Sequence, residues 1–336
     1  MEQIQISKHG APNVLSVINK PSHSLGKNEI RIQVSACGVN FADLMMRMGL
    51  YPEAPKPPFT PGYEIAGTII EKGANVTSFN IDDRVFAFTK FGGYTSEAVI
   101  DYTQVKIIPT HLSFEQAACI PVNFSTAWVA LHNMARIKEN DRVLIQSAAG
   151  GVGIAAIQLA LQAKAKVFAT VGSQEKVNYL NQYPLEKVLT YSEWKNEPRE
   201  TSFDIILDSF GGSSLKQAFS HLSPTGRVVN YGISQITNSN KRSIINTLKT
   251  FSQTPFFTPF KLMMQNKGIF GLNMLTLSEN PQLLSSIMDE ICLMFENKKL
   301  NTHISKSFDF ENAADAHQFL HDRKNIGKVI LTKTIN

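Results

Sequence analysis

Ala148, Gly150 and Gly153 stand where a G-x-G-x-x-G pattern wants its three small residues, with alanine in the first place. The chemistry such spacing allows is the cradling of a pyrophosphate by backbone. Gly150 has no side chain to hold an anion off the main chain, and Gly153 lets the start of a helix lie against the preceding strand. The N-terminal amides, those of Gly151 and Val152 among them, and the helix dipole then face the phosphates. A glycine pattern alone is weak evidence, and its strength here comes from its surroundings. Val143 to Ile145 is a short apolar run suited to a buried parallel strand. Ile154, Ile157, Leu159 and Leu161 keep the next segment apolar on more than one side, as a helix packed on a sheet would be, and residues 166–171 supply a second strand.

The same stretch bears on which nucleotide is bound. A site selective for NAD places Asp or Glu near the end of the second strand, about 20 residues past the first glycine, to hold the ribose hydroxyls. Here that strand ends Ala169, Thr170, Val171, Gly172, Ser173, with no acid until Glu175. Lys176 follows, and Tyr191 lies beyond Val188 and Leu189, the apolar pair of a third strand. A small residue (Gly172), a hydroxyl (Ser173) and a lysine in place of an acid suit a 2′-phosphate, which brings about two negative charges. The cofactor expected is NADPH. Lys176 also reads as a solvated helix residue, as lysines usually are.

These groups need elements to position them, and the chain is long enough to supply two cores: 336 residues, 43% hydrophobic. From 1 to 122 the pattern is short β-rich runs broken by turns (EIRIQVSACGV, EIAGTII, DDRVFAF, YTSEAVI, VKIIP), as in a barrel or rolled sheet. From 123 to 273 strands alternate with helical patterns: VLIQ, KVFATV, KVLTY, FDIILD, GRVVNYG and GIFGL mark six parallel strands. From 274 to 336 follow an amphipathic helix through Leu283, Leu284, Ile287, Ile291 and Phe295, a second through Ala313, Ala316, Phe319 and Leu320, and a strand KVILTK that rejoins the first domain. The expected fold class is α/β: a Rossmann doubly wound parallel sheet (123–273) inserted in a β-rich catalytic domain (1–122 and 274–336). No apolar run reaches the roughly 18 residues of a membrane span, and MEQIQISKHG lacks a signal-peptide pattern, so a cytoplasmic protein is expected. Cys37, Cys119 and Cys292 are too few and too scattered for a disulfide framework and read as reduced thiols in packed positions.

The stretch ACGVNFADLMMRMGLYPEAPKPPFTPGYEIAG, the turn IDDRV, the segment PVNFSTAW and the loop SAAGGVG together resemble the quinone oxidoreductase branch of the medium-chain dehydrogenase/reductase superfamily. Within it, NFADLMMRMGLY, VNFSTAW, RVVNYGIS and NIGKVIL are most similar to the synaptic vesicle membrane protein homologues of the vesicle amine transport type. The resemblance implies a split GroES-like catalytic domain around a Rossmann domain, NADPH as reductant, and quinones or other α,β-unsaturated carbonyls as acceptors. It also implies a homodimer with the GIFGL strand near the subunit contact. Thr126 matches a family threonine near the cofactor, and Phe270 and Leu272 of GIFGL are counted with the cofactor-binding residues.

Zinc relatives in the superfamily carry a cysteine and a histidine where this chain has Asn40 and Tyr63, and the four-cysteine structural lobe is missing. Neither replacement is a good zinc ligand, so metal-free chemistry is expected. Cys37 stands three residues before the ligand position, and His317 and His321 at i and i+4 lack a third donor and read as surface residues. Without a Lewis acid, hydride transfer rests on orientation and on a donor near the acceptor's oxygen. The resemblance puts Asn40 beside nicotinamide and substrate; its other reading is a turn residue. Tyr51, matching the tyrosine of the family's GLYP loop, is the best phenol for donating to a carbonyl or stacking on a ring, and Tyr63 is the second. Asp43 reads as a buttress accepting backbone hydrogens rather than as an acid. Met45 and Met46, where some quinone reductases have a further tyrosine, read either as a softer pocket wall or as core packing.

Between Ser209 and Ser278 there is no Asp or Glu, although 28 of the 336 residues are acidic, and the stretch carries Lys216, Arg227, Lys241, Arg242, Lys249, Lys261 and Lys267. Within 236–267 the last five of these bases interleave with Phe251, Phe256, Phe257, Phe260, Leu262, Met263 and Met264. Such a segment serves as a lid, as dimer packing or as a peripheral contact with an anionic membrane. Nucleic acid is a poor fit, since no RNA-binding motif accompanies the charge. Two functions remain: a zinc-independent reductase of quinones or enones, and a lipid-associated transfer or regulatory protein that keeps NADPH binding with little turnover.

Overall fold

The computed structural model describes residues 1–237 and 244–333, so Lys241 and Arg242 lie outside the described residues. The chain forms two compact units, one from residues 1–125 with 275–333 and the other from 126–237 with 244–274.

The first unit is built on strand β3 (Glu29–Val39), whose alternating Ile30, Ile32 and Val34 are buried as period-2 packing requires. A hairpin of β1 (Glu2–Ile6) and β2 (Leu15–Asn19) stands apart. The main sheet has seven strands. Antiparallel to β3 run β4 (Glu64–Lys72) and β6 (Glu97–Asp101), and β5 (Arg84–Phe88) and β7 (Val105–Ile107) extend the β4 side. On the other side β15 (Lys328–Thr332) pairs antiparallel with β3, and β14 (Ile304–Asp309) closes the edge parallel to β15. The C-terminal strand thus lies inside the sheet of the first domain, as KVILTK implied, because its Val329, Ile330 and Leu331 are all buried. The run of β14 and the hairpin were not apparent from sequence.

Three helices matter for this unit: α1 (Phe41–Arg47), which continues from β3, α6 (Pro281–Glu296) and α7 (Ala313–His321). Helix α7 corrects one expectation. His317 is fully buried rather than on the surface, since it shares with Ala313 and Ala316 the face that packs inward, and His321 is half-buried.

The second unit is a six-stranded parallel sheet of β8 (Arg142–Ile145), β9 (Lys166–Val171), β10 (Lys187–Thr190), β11 (Phe203–Asp208), β12 (Leu222–Asn230) and β13 (Gly268–Gly271). Its order, β10-β9-β8-β11-β12-β13, is that of the doubly wound dinucleotide-binding fold, and all six anticipated strands are present. Val143, Leu144, Ile205, Ile206 and Val228 are fully buried, because helices cover both faces of such a sheet. Helix α2 (Ile120–Trp128) spans the boundary of the units; α3 (Gly151–Gln162) follows β8, α4 (Gln174–Leu180) follows β9, and α5 (Pro259–Gln265) precedes β13.

Candidate functional site

In the second unit, the chain leaves β8 through Ser147, which takes a positive φ of 52°. The turn is closed by Gly150 N–H donating to Ser147 O at 2.9 Å, and Ala148 N–H donates to Thr170 O at 3.0 Å. Helix α3 then starts with Gly150 as its cap and no side chain on its first amides. The two glycines are bare for different reasons. A Cβ on Gly153 would sit 2.6 Å from Ala148 Cα, so helix and turn can approach only without one. A Cβ on Gly150 would meet only Ser147 O, at 3.2 Å, a milder crowding that a small shift of the turn relieves. The amides of Gly151 and Val152 head an uncapped helix whose dipole favours an anion.

Strands β8 and β11 flank the point where the strand order reverses, the place where doubly wound sheets bind ligands. Ser147 and Ser209, one after each strand, join there at 2.8 Å, and Tyr191 OH donates to Ser147 Oγ at 3.3 Å. The Tyr191 ring stands against Gly172, 3.2 Å from where a Cβ would be, and edge-on to Phe210 at 5.1 Å. Ser173 caps α4 by accepting from Lys176 N–H at 3.4 Å, and the Lys176 side chain is partly exposed. Asp208, at the end of β11, is fully buried and accepts from Phe210 N–H, Gly211 N–H, Ser214 Oγ and Asn230 Nδ2. It is therefore spent on the fold and not offered to a ribose. Thr126 on α2 is buried, while Phe270 on β13 is partly exposed at the sheet edge, with Leu272 after it.

In the first unit, Asn40 precedes α1 and Asp43 lies in its first turn. Asp43 is fully buried and accepts from Asn40 N–H at 2.8 Å, Gly62 N–H at 3.1 Å and Tyr94 OH at 3.1 Å. Burial pushes its carboxyl up to about 7, against the pull of those hydrogen bonds and of Lys328. Tyr94 OH is in turn 3.1 Å from Nε2 of the buried His317, which desolvation keeps neutral. Asp43 thus ties the start of α1 to the loop that carries Gly62 and Tyr63 and leads into Glu64 of β4.

The Asn40 amide does not simply offer donors to a cleft. Its Nδ2 donates to Glu64 Oε1 at 2.9 Å, and its Oδ1 accepts from Lys328 Nζ at 2.6 Å. Lys328 also forms an ion pair with Glu64 and reaches Asn123 Oδ1 at 3.5 Å, while Val122 N–H donates to Glu64 Oε2 at 2.8 Å. Tyr63 OH lies 3.7 Å from Met46 Sδ and shares a hydrogen bond with Tyr51 OH. Burial raises both phenols, so both stay protonated donors at neutral pH. Beneath them Ile6, Val14, Met46 and Phe59 form an apolar cluster, and Met45 is buried as well.

This donor set does not fit a zinc ion. Positions 40 and 63 carry an amide and a phenol, an ammonium already occupies Glu64, and burial pushes Cys37, which donates to Gly93 O, up to about 12. Among the described residues no three His, Cys, Asp or Glu gather to hold a metal. Cys37, Cys119 and Cys292 are free. Sequence reasoning missed Glu64, Lys328, Tyr94, Ser147 and Ser209, and it set His317 on the surface. The available signal for Lys328 was a lone charge at the head of an apolar strand run, and for Glu64 an acid opening one.

Comparison with known proteins agrees with this architecture. The family described as zinc-binding dehydrogenase matches residues 182–331, and the alcohol dehydrogenase GroES-like domain matches residues 26–112. The Synaptic vesicle membrane protein VAT-1 homolog of Danio rerio is 31% identical over 96% of this chain and 68% of its own length. Quinone oxidoreductase-like protein 2 of Bos taurus is 30% identical over 91% and 85%. The crystal structure of the human synaptic vesicle membrane protein VAT-1 homolog-like protein superposes with a TM-score of 0.86, 29% identical, covering 100% of this chain and 99% of that one.

Proposed function

The chain belongs to the medium-chain dehydrogenase/reductase superfamily, alongside the VAT-1 homologues and the quinone oxidoreductase-like proteins, and we propose that it is a zinc-independent, NADPH-dependent reductase of quinones or other α,β-unsaturated carbonyls. One observation carries the reading: an uncapped, glycine-built helix start at the reversal of the sheet, beside a β9 end with no acid. Gly150, Gly151, Val152 and Gly153 would hold the pyrophosphate. Gly172, Ser173 and Lys176 would hold the 2′-phosphate, with Tyr191 behind them, and we place Thr126, Phe270 and Leu272 along the rest of the dinucleotide. The bound cofactor would supply the hydride. The protein's part is to orient the acceptor and to stabilise the charge that grows on its oxygen as carbon is reduced. Tyr51 and Tyr63, kept protonated, are suited to donate to that oxygen, over the apolar floor of Met46 and Phe59. Asn40 adds a further N–H, and Asp43 holds the loop. A cytosolic setting suits the three free thiols.

The test follows absorbance of the reduced nicotinamide while the purified protein meets a panel of quinones and enones. Consumption of NADPH that requires the acceptor is expected. Measurable NADPH binding without turnover on any acceptor would overturn the enzyme assignment and leave a lipid-associated protein that retains a nucleotide site. One feature favours keeping that second reading: Phe256 and Phe260 are 84% and 68% exposed, with Lys261, Met263 and Met264 also exposed on α5. Flotation with anionic vesicles decides it, and failure to bind at low salt removes it.

A further inference from the structure

We infer that Lys328 and Glu64 are positioning residues whose shared task is to lock the side-chain amide of Asn40 in one orientation, so that Asn40 faces a bound substrate or cofactor as a single N–H donor and never as an acceptor.

Lys328 is 3% exposed and Glu64 0%. A buried ion pair is weak evidence of stabilisation, since apolar residues of similar size often do as well or better. Its value lies in what the two charges impose on the neutral group between them. The oxygen and nitrogen ends of an asparagine amide are close to isosteric, and in most surroundings the amide can turn over. Here an ammonium, which only donates, stands 2.6 Å from one end, and a carboxylate, which only accepts, stands 2.9 Å from the other. Turning the amide over would set N–H against ammonium and carbonyl against carboxylate, and both contacts would become repulsive. Lysine, asparagine and glutamate therefore close a ring in which each hydrogen bond polarises the next.

Each member of the ring is held from outside. Glu64 Oε2 accepts from Val122 N–H at 2.8 Å, and Lys328 reaches Asn123 at 3.5 Å. The Asn40 backbone is tied by its N–H to Asp43. Gly38 makes room: β15 pairs with β3 so that Val329 faces Val39, and a Cβ on Gly38 would come within 2.7 Å of Lys328 Cε. With Oδ1 on Lys328 and one hydrogen on Glu64, a single N–H remains, its nitrogen 3.5 Å from Gly38 O at the limit of a hydrogen bond. The ring also accounts for the misfit with zinc, because its own cation already neutralises Glu64.

The consequence for catalysis rests on the reductase reading; the orientation itself does not, and the test separates them. The variant is the neutral pair Lys328→Met with Glu64→Gln, which avoids leaving one charge buried alone. In the intact wild-type protein, the Asn40 side-chain amide protons, read by NMR with selectively labelled asparagine, are expected to exchange on the order of 10- to 100-fold more slowly than those of the exposed Asn178. In the neutral pair that protection should be lost while the protein stays folded, as its melting transition shows. Lys328→Arg should keep most of the protection. If the wild type turns over, kcat of the neutral pair should fall roughly 10- to 100-fold with little change in KM. A wild-type Asn40 amide that exchanges like Asn178, or a folded neutral pair that keeps wild-type protection, overturns the proposal. A wild type that is protected at Asn40 but inert with every acceptor sinks the reductase reading and leaves the locked amide standing.

Discussion

Asp43 draws three hydrogen bonds yet is fully buried, and the balance sets its titration. Its folded value is raised to about 7 from an ordinary 3.8, chiefly by desolvation. A carboxyl whose pKa rises on folding holds its proton more tightly in the native state. Its contribution is whole below pH 3.8 and fades as pH climbs, until it is gone above about 7. Asp43→Asn is thus expected to melt closer to wild type, or above it, as pH rises from about 4 to about 7; parallel melting profiles across that window would contradict the assignment. At the cofactor, Lys176→Ala is expected to weaken NADPH by roughly 10- to 100-fold, the worth of a charge-assisted hydrogen bond, and NADH far less. Equal losses in titrations with the two would remove the 2′-phosphate assignment. Asn40, Tyr51 and Tyr63 stand out as candidates in the sequence because each departs from or matches a local motif. The partners Glu64 and Lys328 were not, since the charges that complete the ring lie far apart along the chain and no local pattern couples them. His317 failed for a related reason: polarity argued for the surface, and only the alanine face of α7 shows it turned inward.

The elements of the nucleotide unit were legible almost strand by strand, because parallel strands buried on both faces read as unbroken apolar runs. Strand β14 escaped notice as an edge strand in which Lys306 and Ser307 are exposed, and the hairpin of β1 and β2 because its polar residues interrupt each short run. The turn between β8 and α3 allows a sharper experiment than its motif alone. Gly153→Ala drives a Cβ into the backbone at Ala148 and is expected to lower stability by about 1–3 kcal/mol together with nucleotide affinity. Gly150→Ala crowds only one backbone atom, at 3.2 Å, so it is expected to lower the melting temperature less than Gly153→Ala does while still weakening NADPH. Calorimetric melting paired with nucleotide titration checks both, and a Gly150→Ala protein that binds normally would show that the turn does not approach a phosphate.

At the scale of the molecule, β13 is an edge of the six-stranded sheet with no partner strand beyond it among the described residues, and α5, just before it in the chain, carries exposed apolar side chains. The family resemblance implies a homodimer with β13 near the subunit contact, and that expectation is open to test. If two copies meet there, Phe260→Glu combined with Met263→Glu is expected to lower the mass read in sedimentation with the fold intact; an unchanged mass would move attention to the vesicle experiment. No helix among the described residues is long and apolar enough to cross a membrane. The setting of β15 has a bearing on synthesis as well. Lys328 is 288 residues from Asn40, and at about 5–20 residues per second roughly 15–60 s of translation separate them. The nucleotide unit has its whole sequence available earlier, whereas the first unit waits with the β3 edge open and Glu64 lacking its cation. A ribosome stalled late in the message would therefore release a chain able to build its nucleotide sheet but not its locked amide, with a bare strand edge for chaperones to recognise.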